Sequence, residues 1–351
     1  MAVSSLPRLA TGSVATVGTF DGVHRGHGEV LDLVIERARA RGCRSILVTF
    51  DPHPVSVVRP EKVPRLLTTP PEKTEALAAT GLDMVLLLRF TRRLSRYTPE
   101  RFVREILVDK LGVRELIVGH DHGFGRDRSG DAGTLRALGA DFGFDVAVVP
   151  PLLAAAPRSR APEEGGDRTL GRSAVSSSRI RAAILAGELD EAERCLGRPY
   201  SISGRVVQGD GRGRALGFPT ANLKLPREKL LPPPGIYATR VFVPPGASPP
   251  EVARRASHVG ALHTGPRPTF EGAESSVEAH LLDFPDIDLY GSRIRIDLVR
   301  RIRGIERFSD AEELSSRMAL DIGAARRLVD PGVSRPNPSP APALDGEPVC
   351  G

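Results

Sequence analysis

Two histidines three residues apart, His24 and His27, stand in the segment Gly18-Thr19-Phe20-Asp21-Gly22-Val23-His24-Arg25-Gly26-His27. Directly after it, Leu31, Val34, Ile35 and Ala38 recur at helical spacing. Imidazoles at a helix start can donate to a phosphate whose charge grows during reaction, while Gly18, Gly22 and Gly26 let the backbone approach a ligand closely. A metal reading of the pair lacks a nearby third ligand. Ser176, Ser177, Ser178 and Arg179 stand at another helix start. Alone they read as a cap; beside the histidine pair they read as a second phosphate contact.

Two more groups lie further along. Gly209-Asp210-Gly211-Arg212-Gly213-Arg214-Ala215-Leu216-Gly217 runs into Phe218-Pro219-Thr220-Ala221-Asn222. Without a Gly-Lys-Ser/Thr entering a helix it is not a P-loop, and by composition it fits a flexible hairpin as well as a nucleotide wrap. Val277-Glu278-Ala279-His280-Leu281 alternates, so Glu278 and His280 share one strand face and the apolar residues share the other. Such a glutamate is either a solvated side chain or a base.

The elements that must position these groups change character along the chain. Strand patterns at Ser13–Val17, Ser45–Phe50, Met84–Leu88, Glu115–Gly119 and Val146–Val149 alternate with helical ones, which predicts an open parallel α/β sheet. Thr69-Pro70-Pro71-Glu72 reads as a capping box opening one helix, and Thr98-Pro99 opens another that runs through Lys110. Residues 151–174 read as a mobile loop, followed by helices at Ser177–Ala186 and Asp190–Leu196. From Tyr200 onward, closely spaced strand patterns (Tyr200–Val207, Ile236–Val243, Val259–His263, Val277–Asp283, Ser292–Val299) predict a small antiparallel barrel closed by a helix near Asp310–Ile322. The last 21 residues, with six Pro, read as a disordered tail over 331–351.

A length of 351 residues suggests two domains, and 40% hydrophobic with 26% charged residues is ordinary for a globular protein with a real core. The net charge of +6 comes from scattered Arg, only five of the 49 basic residues being Lys, and no basic run interleaved with aromatics points to nucleic acid. No apolar run reaches the ~18–20 residues of a membrane span, and no secretory signal is present. Three distant Cys form neither a disulfide framework nor a zinc site, so a cytoplasmic protein is expected.

The segment from Gly18 to His27 resembles the His-x-Gly-His motif of the nucleotidylyltransferase superfamily and, in its longer form, the N-terminal module of bacterial bifunctional riboflavin kinase/FAD synthetases. Thr49-Phe50-Asp51-Pro52-His53-Pro54, Val118-Gly119-His120-Asp121-His122-Gly123-Phe124-Gly125 and Val175-Ser176-Ser177-Ser178-Arg179-Ile180-Arg181 match that family in order. Gly213-Arg214-Ala215-Leu216-Gly217-Phe218-Pro219-Thr220-Ala221-Asn222 resembles the riboflavin kinase signature. His263-Thr264 stand where the family commonly carries Asn-Ile.

The resemblance implies a nucleotidylyltransferase domain over 12–196, a riboflavin kinase barrel over 197–323, and phosphorylation of riboflavin by ATP to FMN followed by adenylylation of FMN to FAD. It implies His24, His27, Arg179 and Glu278 as catalytic groups, with Glu278 the base. Gly18, Phe20, Asp21, Gly22, Gly26, Asp121, Ser176 to Ser178, Gly211, Gly213, Arg214 and Gly217 would bind nucleotide. His53, His122, Phe124 and Arg267 are candidates for flavin, and Thr220 and Asn222 would hold Mg²⁺. ATP is the expected co-substrate, riboflavin and FMN the small-molecule partners, with no nucleic acid or membrane partner. The alternatives are a chain in which only the kinase works, and a flavin- or nucleotide-binding regulator without turnover.

Overall fold

The structure, a computed structural model, describes residues 9, 11–120, 123, 130–155, 172–209, 217–244, 257–266, 275–285 and 287–329. The expectations for Asp121, His122, Phe124, Gly211, Gly213, Arg214, Arg267 and the tail lie outside the described residues. The chain divides into two units, Met1–Ser203 with Leu225–Pro233, and Gly204–Lys224 with Pro234–Gly351.

In the first unit, strands β1 (Ser13–Val17), β2 (Arg44–Asp51), β3 (Met84–Arg89), β4 (Val113–Gly119) and β5 (Asp145–Val149) form a parallel sheet in the order β3-β2-β1-β4-β5. The strands are continuous apolar runs because both faces are covered. Ala15, Val17, Ile46, Val48, Leu116 and Val118 face one core, while Val14, Leu47 and Ile117 face the other. The helices are α1 (Arg25–Ala40), α2 (Pro54–Val58), α3 (Pro70–Ala78), α4 (Pro99–Phe102), α5 (Ala132–Phe142), α6 (Ser177–Ala186) and α7 (Leu189–Leu196). The capping box at α3 forms as its residues predict, with Thr69 N–H donating to Glu72 Oε2 at 2.8 Å.

Three local outcomes differ from the expectations. The helix expected from Thr98 to Lys110 widens after Phe102 into a π-helical stretch, Val103–Val108, seen in the bond from Leu111 N–H to Ile106 O. It still buries Phe102, Val103, Ile106 and Leu107. Within the expected loop over 151–174, the ends pair as a short antiparallel ladder, β6 (Leu153–Ala155) with β7 (Arg172–Ala174). The closing helix, α8 (Ala311–Val329), runs past Ile322 because Ala325 and Val329 extend its apolar spacing onto the barrel.

That barrel is closed and antiparallel, in the order β10-β11-β12-β9-β8-β13, from β8 (Tyr200–Val207), β9 (Thr220–Lys224), β10 (Gly235–Phe242), β11 (His258–Pro266), β12 (Ser275–Leu281) and β13 (Arg293–Arg303). Strand β9, unforeseen as a strand, carries the Thr-Ala-Asn of the kinase signature. Leu223, Val277 and Ala279 are buried, while Thr220, Asn222, Glu278 and His280 are half-buried.

Two glycines separate helix propensity from packing. Glycine inside a helix costs about 1 kcal/mol relative to alanine. At Gly323 in α8 the nearest atom to an added Cβ is an Arg327 guanidinium nitrogen at 3.5 Å, ordinary contact. At Gly139 in α5 that Cβ would lie 2.5 Å from the backbone oxygen of Phe144. Gly323→Ala is expected to stabilise the barrel unit by about 0.5–1 kcal/mol, and Gly139→Ala to destabilise the sheet unit despite its better propensity. Urea-unfolding midpoints of the two variants, read against the unmodified chain, check the opposed signs.

Candidate active sites

In the first unit's sheet order the topology reverses between β1 and β4, and ligands of open α/β sheets bind outside the carboxyl ends of the strands at such a point. There lies a cavity of about 940 Å³, lined by Gly18, Phe20, His24, Gly26 and His27 from the β1–α1 segment and by Ser176, Ser177, Ser178 and Arg181 from the start of α6. Residues some 150 positions apart in sequence thus meet around one space, and two helix N-termini converge on it. Gly26 lies close to the Val175 carbonyl oxygen, where a Cβ would sit 3.4 Å away in ordinary contact. The opposite wall is apolar, with Phe50, Val55, Phe90, Leu94, Tyr97 and Phe102; His53 lines it as well.

The histidine pair caps its own helix. His24 Nδ1 accepts from His27 N–H at 3.2 Å, and His27 Nδ1 accepts from His24 N–H at 3.3 Å. A nitrogen that accepts carries no proton, so each neutral ring bears its hydrogen on Nε2. The rings stack with centroids 3.6 Å apart, a geometry that disfavours two imidazolium charges together. Burial, then His24, then Lys73 hold the His27 pKa well below the usual histidine value. Burial likewise lowers the pKa of His53.

Asp21 and Arg179 do not line the cavity. Asp21 is buried, and its carboxylate accepts from the N–H groups of Leu67 (3.1 Å) and Thr68 (2.9 Å), from Thr68 Oγ1 and from Arg181 Nη2 at 2.6 Å. Arg179 pairs with Glu191 Oε1 at 2.6 Å and donates to the Ser173 carbonyl at 2.6 Å, tying α6 to α7 and β7. Gly22, at φ +86°, packs behind the loop against Leu67. Two groups escaped the sequence reading, Arg181 on the cavity wall and Lys73, whose ammonium donates to the carbonyls of Thr19 and Phe50 and to Thr49 Oγ1. Their signal was faint. Lys73 is one of five lysines in an arginine-rich chain, and it falls on the first turns of a well-capped helix.

In the second unit, strand register assembles the site. Glu278 lies directly opposite Asn222 on β9 and opposite His263 on β11, and His280 lies opposite Thr220. Thr220, Asn222, Glu278 and His280 therefore share one face of adjacent strands. His280 Nδ1 is 2.8 Å from the Pro219 carbonyl, and Phe218 meets its ring edge-on with centroids 5.8 Å apart. Gly209 lies against the Asn222 amide so closely that a Cβ would fall 2.1 Å from Nδ2. Gly217 adopts φ +83°, which glycine reaches without strain. Burial lowers the pKa values of His263 and His280.

The comparisons with known proteins match a family model to each half of the chain. A family model described as FAD synthetase matches residues 6–158, and one described as riboflavin kinase matches residues 196–329. The bifunctional riboflavin kinase/FMN adenylyltransferase of Escherichia coli (strain K12) is 38% identical over 325 residues, covering 93% of this chain and 95% of that protein. Its Pseudomonas fluorescens counterpart is 39% identical, covering 92% and 95%. A crystal structure described as a macrolide-efflux protein from Streptococcus pneumoniae superposes with a TM-score of 0.75 at 27% identity, covering 93% of this chain and 98% of that one. With both family models matched one after the other along the chain and relatives over 90% of its length sharing both names, the chain belongs to the bifunctional riboflavin kinase/FMN adenylyltransferase family and carries both activities.

Proposed function

We propose that adenylyl transfer takes place in the cavity at the carboxyl ends of β1 and β4, and riboflavin phosphorylation on the β9–β12 face of the barrel. The observation that supports this reading most is the meeting of the His24–His27 pair with the Ser176–Ser178 helix start around one cavity. In it, an oxygen of the FMN phosphate attacks the α-phosphorus of ATP and pyrophosphate departs. The Nε2–H groups of His24 and His27 donate to the phosphate oxygens as charge moves onto them, and neutral rings can do so without protonation. Arg181, Ser177 and Ser178 line the same space, with the Ser177 hydroxyl donating to the Asp21 carbonyl at 2.9 Å. Arg179 serves from behind as an anchor for β7 and α6. The apolar wall, with His53 at its side, suits a flat aromatic ring system.

On the barrel, Glu278 takes the proton from the ribityl 5′-hydroxyl as that oxygen attacks the γ-phosphorus, and ADP leaves. Thr220 and Asn222 offer neutral oxygens beside a carboxylate, and Gly209 leaves the space that the Asn222 amide occupies. That donor set fits Mg²⁺, which prefers hard oxygens and keeps water and substrate phosphate among its ligands. Mg²⁺ bound there supplies charge screening of the ATP tail. Cys43 and Cys195 are free thiols, and among the described residues no helix is long and apolar enough to cross a membrane.

The two sites separate by substitution. His27→Ala is expected to lower FMN adenylylation by about 10²–10³-fold, so that riboflavin and ATP accumulate FMN. Glu278→Ala is expected to slow FMN formation by about 10²–10⁴-fold while supplied FMN still becomes FAD. Chromatographic time courses of riboflavin, FMN and FAD check both. If each variant loses both products to the same extent, the assignment of two sites fails.

Acid sensitivity follows from the same histidine. His27 titrates well below its ordinary value when folded, so below pH ~6.5 the unfolded chain binds a proton that the folded chain does not. Its contribution is intact above that pH and is lost as pH falls toward the folded value. The melting temperature of the sheet unit is expected to drop between pH ~7 and ~5, and His27→Gln to flatten the decline. Calorimetry across that range, with equal slopes for both proteins as the contrary result, decides it.

A further inference from the structure

Behind the phosphate loop lies a buried ion pair that the mechanism above does not use. Lys229 Nζ donates to Glu72 Oε2 at 2.8 Å and to the Leu67 carbonyl at 2.7 Å, and sits over the Tyr200 ring, 4.6 Å from its centroid. Glu72 is also buried, and it accepts from the N–H groups of Thr69 and Ser203, each at 2.8 Å. The segment holding Lys229 follows β9 in sequence yet belongs to the first unit. It lies beside Leu66 as an isolated parallel bridge, with Leu66 N–H donating to Glu228 O at 2.7 Å and Leu230 N–H to Leu66 O at 2.9 Å. Tyr200 Oη donates to Leu230 O at 2.7 Å.

The peptide that Lys229 grips is the one that shapes the loop. Leu67 and Thr68 present their N–H groups to the two oxygens of Asp21, and Thr68 Oγ1 accepts from Gly22 N–H at 3.0 Å. The Leu67 side chain packs where a Cβ on Gly22 would fall, 2.8 Å from Leu67 Cδ1. A chain of contacts thus runs from Lys229 through Leu67 and Thr68 to Asp21 and Gly22, two residues before His24. A buried ammonium is retained only where its donors are used; Lys229 grips this strip of backbone directly at Leu67 and, through Glu72, at Thr69.

We propose that Lys229 is a positioning residue for adenylyl transfer: it holds the Leu66–Thr69 strip that sets the position of the Asp21–His24 loop, so a segment C-terminal to the first kinase motif completes the adenylyltransferase site. The proposal rests on the reading of the His24–His27 cavity as that site.

The test is steady-state kinetics of both reactions on the full chain. Lys229→Met is expected to raise the KM for ATP in adenylylation and to lower kcat/KM by at least about tenfold, since a displaced loop misplaces the phosphates. FMN formation from riboflavin stays within about twofold, because the kinase groups lie elsewhere. Glu115→Gln, which breaks the pair between this buried carboxylate and the exposed Arg41 (2.9 Å) at the other end of the sheet, controls for lost stability and leaves the KM for ATP unchanged. Tyr200→Phe releases only the Leu230 contact and keeps the ion pair, so it tests the same strip should Lys229→Met fail to fold; it is expected to raise the same KM by about threefold. An unchanged KM for ATP in the folded variants, with kcat reduced only by the unfolded fraction, overturns the proposal, as does an equal rise in Glu115→Gln. Adenylylation that survives His27→Ala overturns the cavity reading instead.

Discussion

The buried carboxylate of Asp21 is the constraint on which the loop from Phe20 to His24 depends. Three of the four residues from Phe20 to Val23 hold positive φ (49°, 86° and 41° at Phe20, Gly22 and Val23), and only one of the three is glycine. Left-handed backbone at an aromatic and at a β-branched residue is costly and persists only where its surroundings over-determine it. Asp21 supplies that surrounding. Its two oxygens take two backbone N–H groups, a hydroxyl and a guanidinium, its own carbonyl accepts from Ser177 Oγ at 2.9 Å, and Arg198 donates to the carbonyls of Gly22 (2.7 Å) and Val23 (2.9 Å). A carboxylate so partnered is affordable in the interior, and the strain it stabilises places His24 at the helix start.

On the proposed reading, the two units reach phosphate by different physics. In the sheet unit, helix N-termini and neutral imidazoles aim partial positive charge into a cavity, so the site depends on the packing of distant segments. In the barrel, the site is a matter of register. Asn222, Glu278 and His263 form one row across three strands, and a slip of one residue in β9 would turn Thr220 and Asn222 toward the interior. Closure of the barrel removes the free edges along which such a slip could occur. Gly209 adds a local lock, since its missing side chain is where the Asn222 amide lies.

Arg179 and Arg181 show how far a motif can be read. Both stand in the same short helix start, and both are equally suited by type to bind phosphate. Which one faces the cavity depends on partners remote in sequence. Glu191, buried on α7, draws Arg179 away, while Asp21 and the Arg65 carbonyl hold Arg181 along the wall. The lysines at 73 and 229 make the same point from the opposite direction: nothing in their neighbours announces that each would be buried and bound to the backbone around the phosphate loop.

By itself the sequence determined the alternation of strand and helix, the capping box at Thr69, the change to closely spaced strands after Tyr200, and the residue types at each chemical position. All of these are local, carried by periodicity, capping and short motifs that need no partner to be recognised. Only the tertiary structure decided that Thr220–Lys224 is a strand whose register brings Asn222 to Glu278, that Asp21 faces inward as a support, and that residues beyond β9 return to clasp the first unit. Those outcomes are set by which buried charges and unpaired backbone groups find each other across long separations, and a buried ion must take the partner that the fold presents.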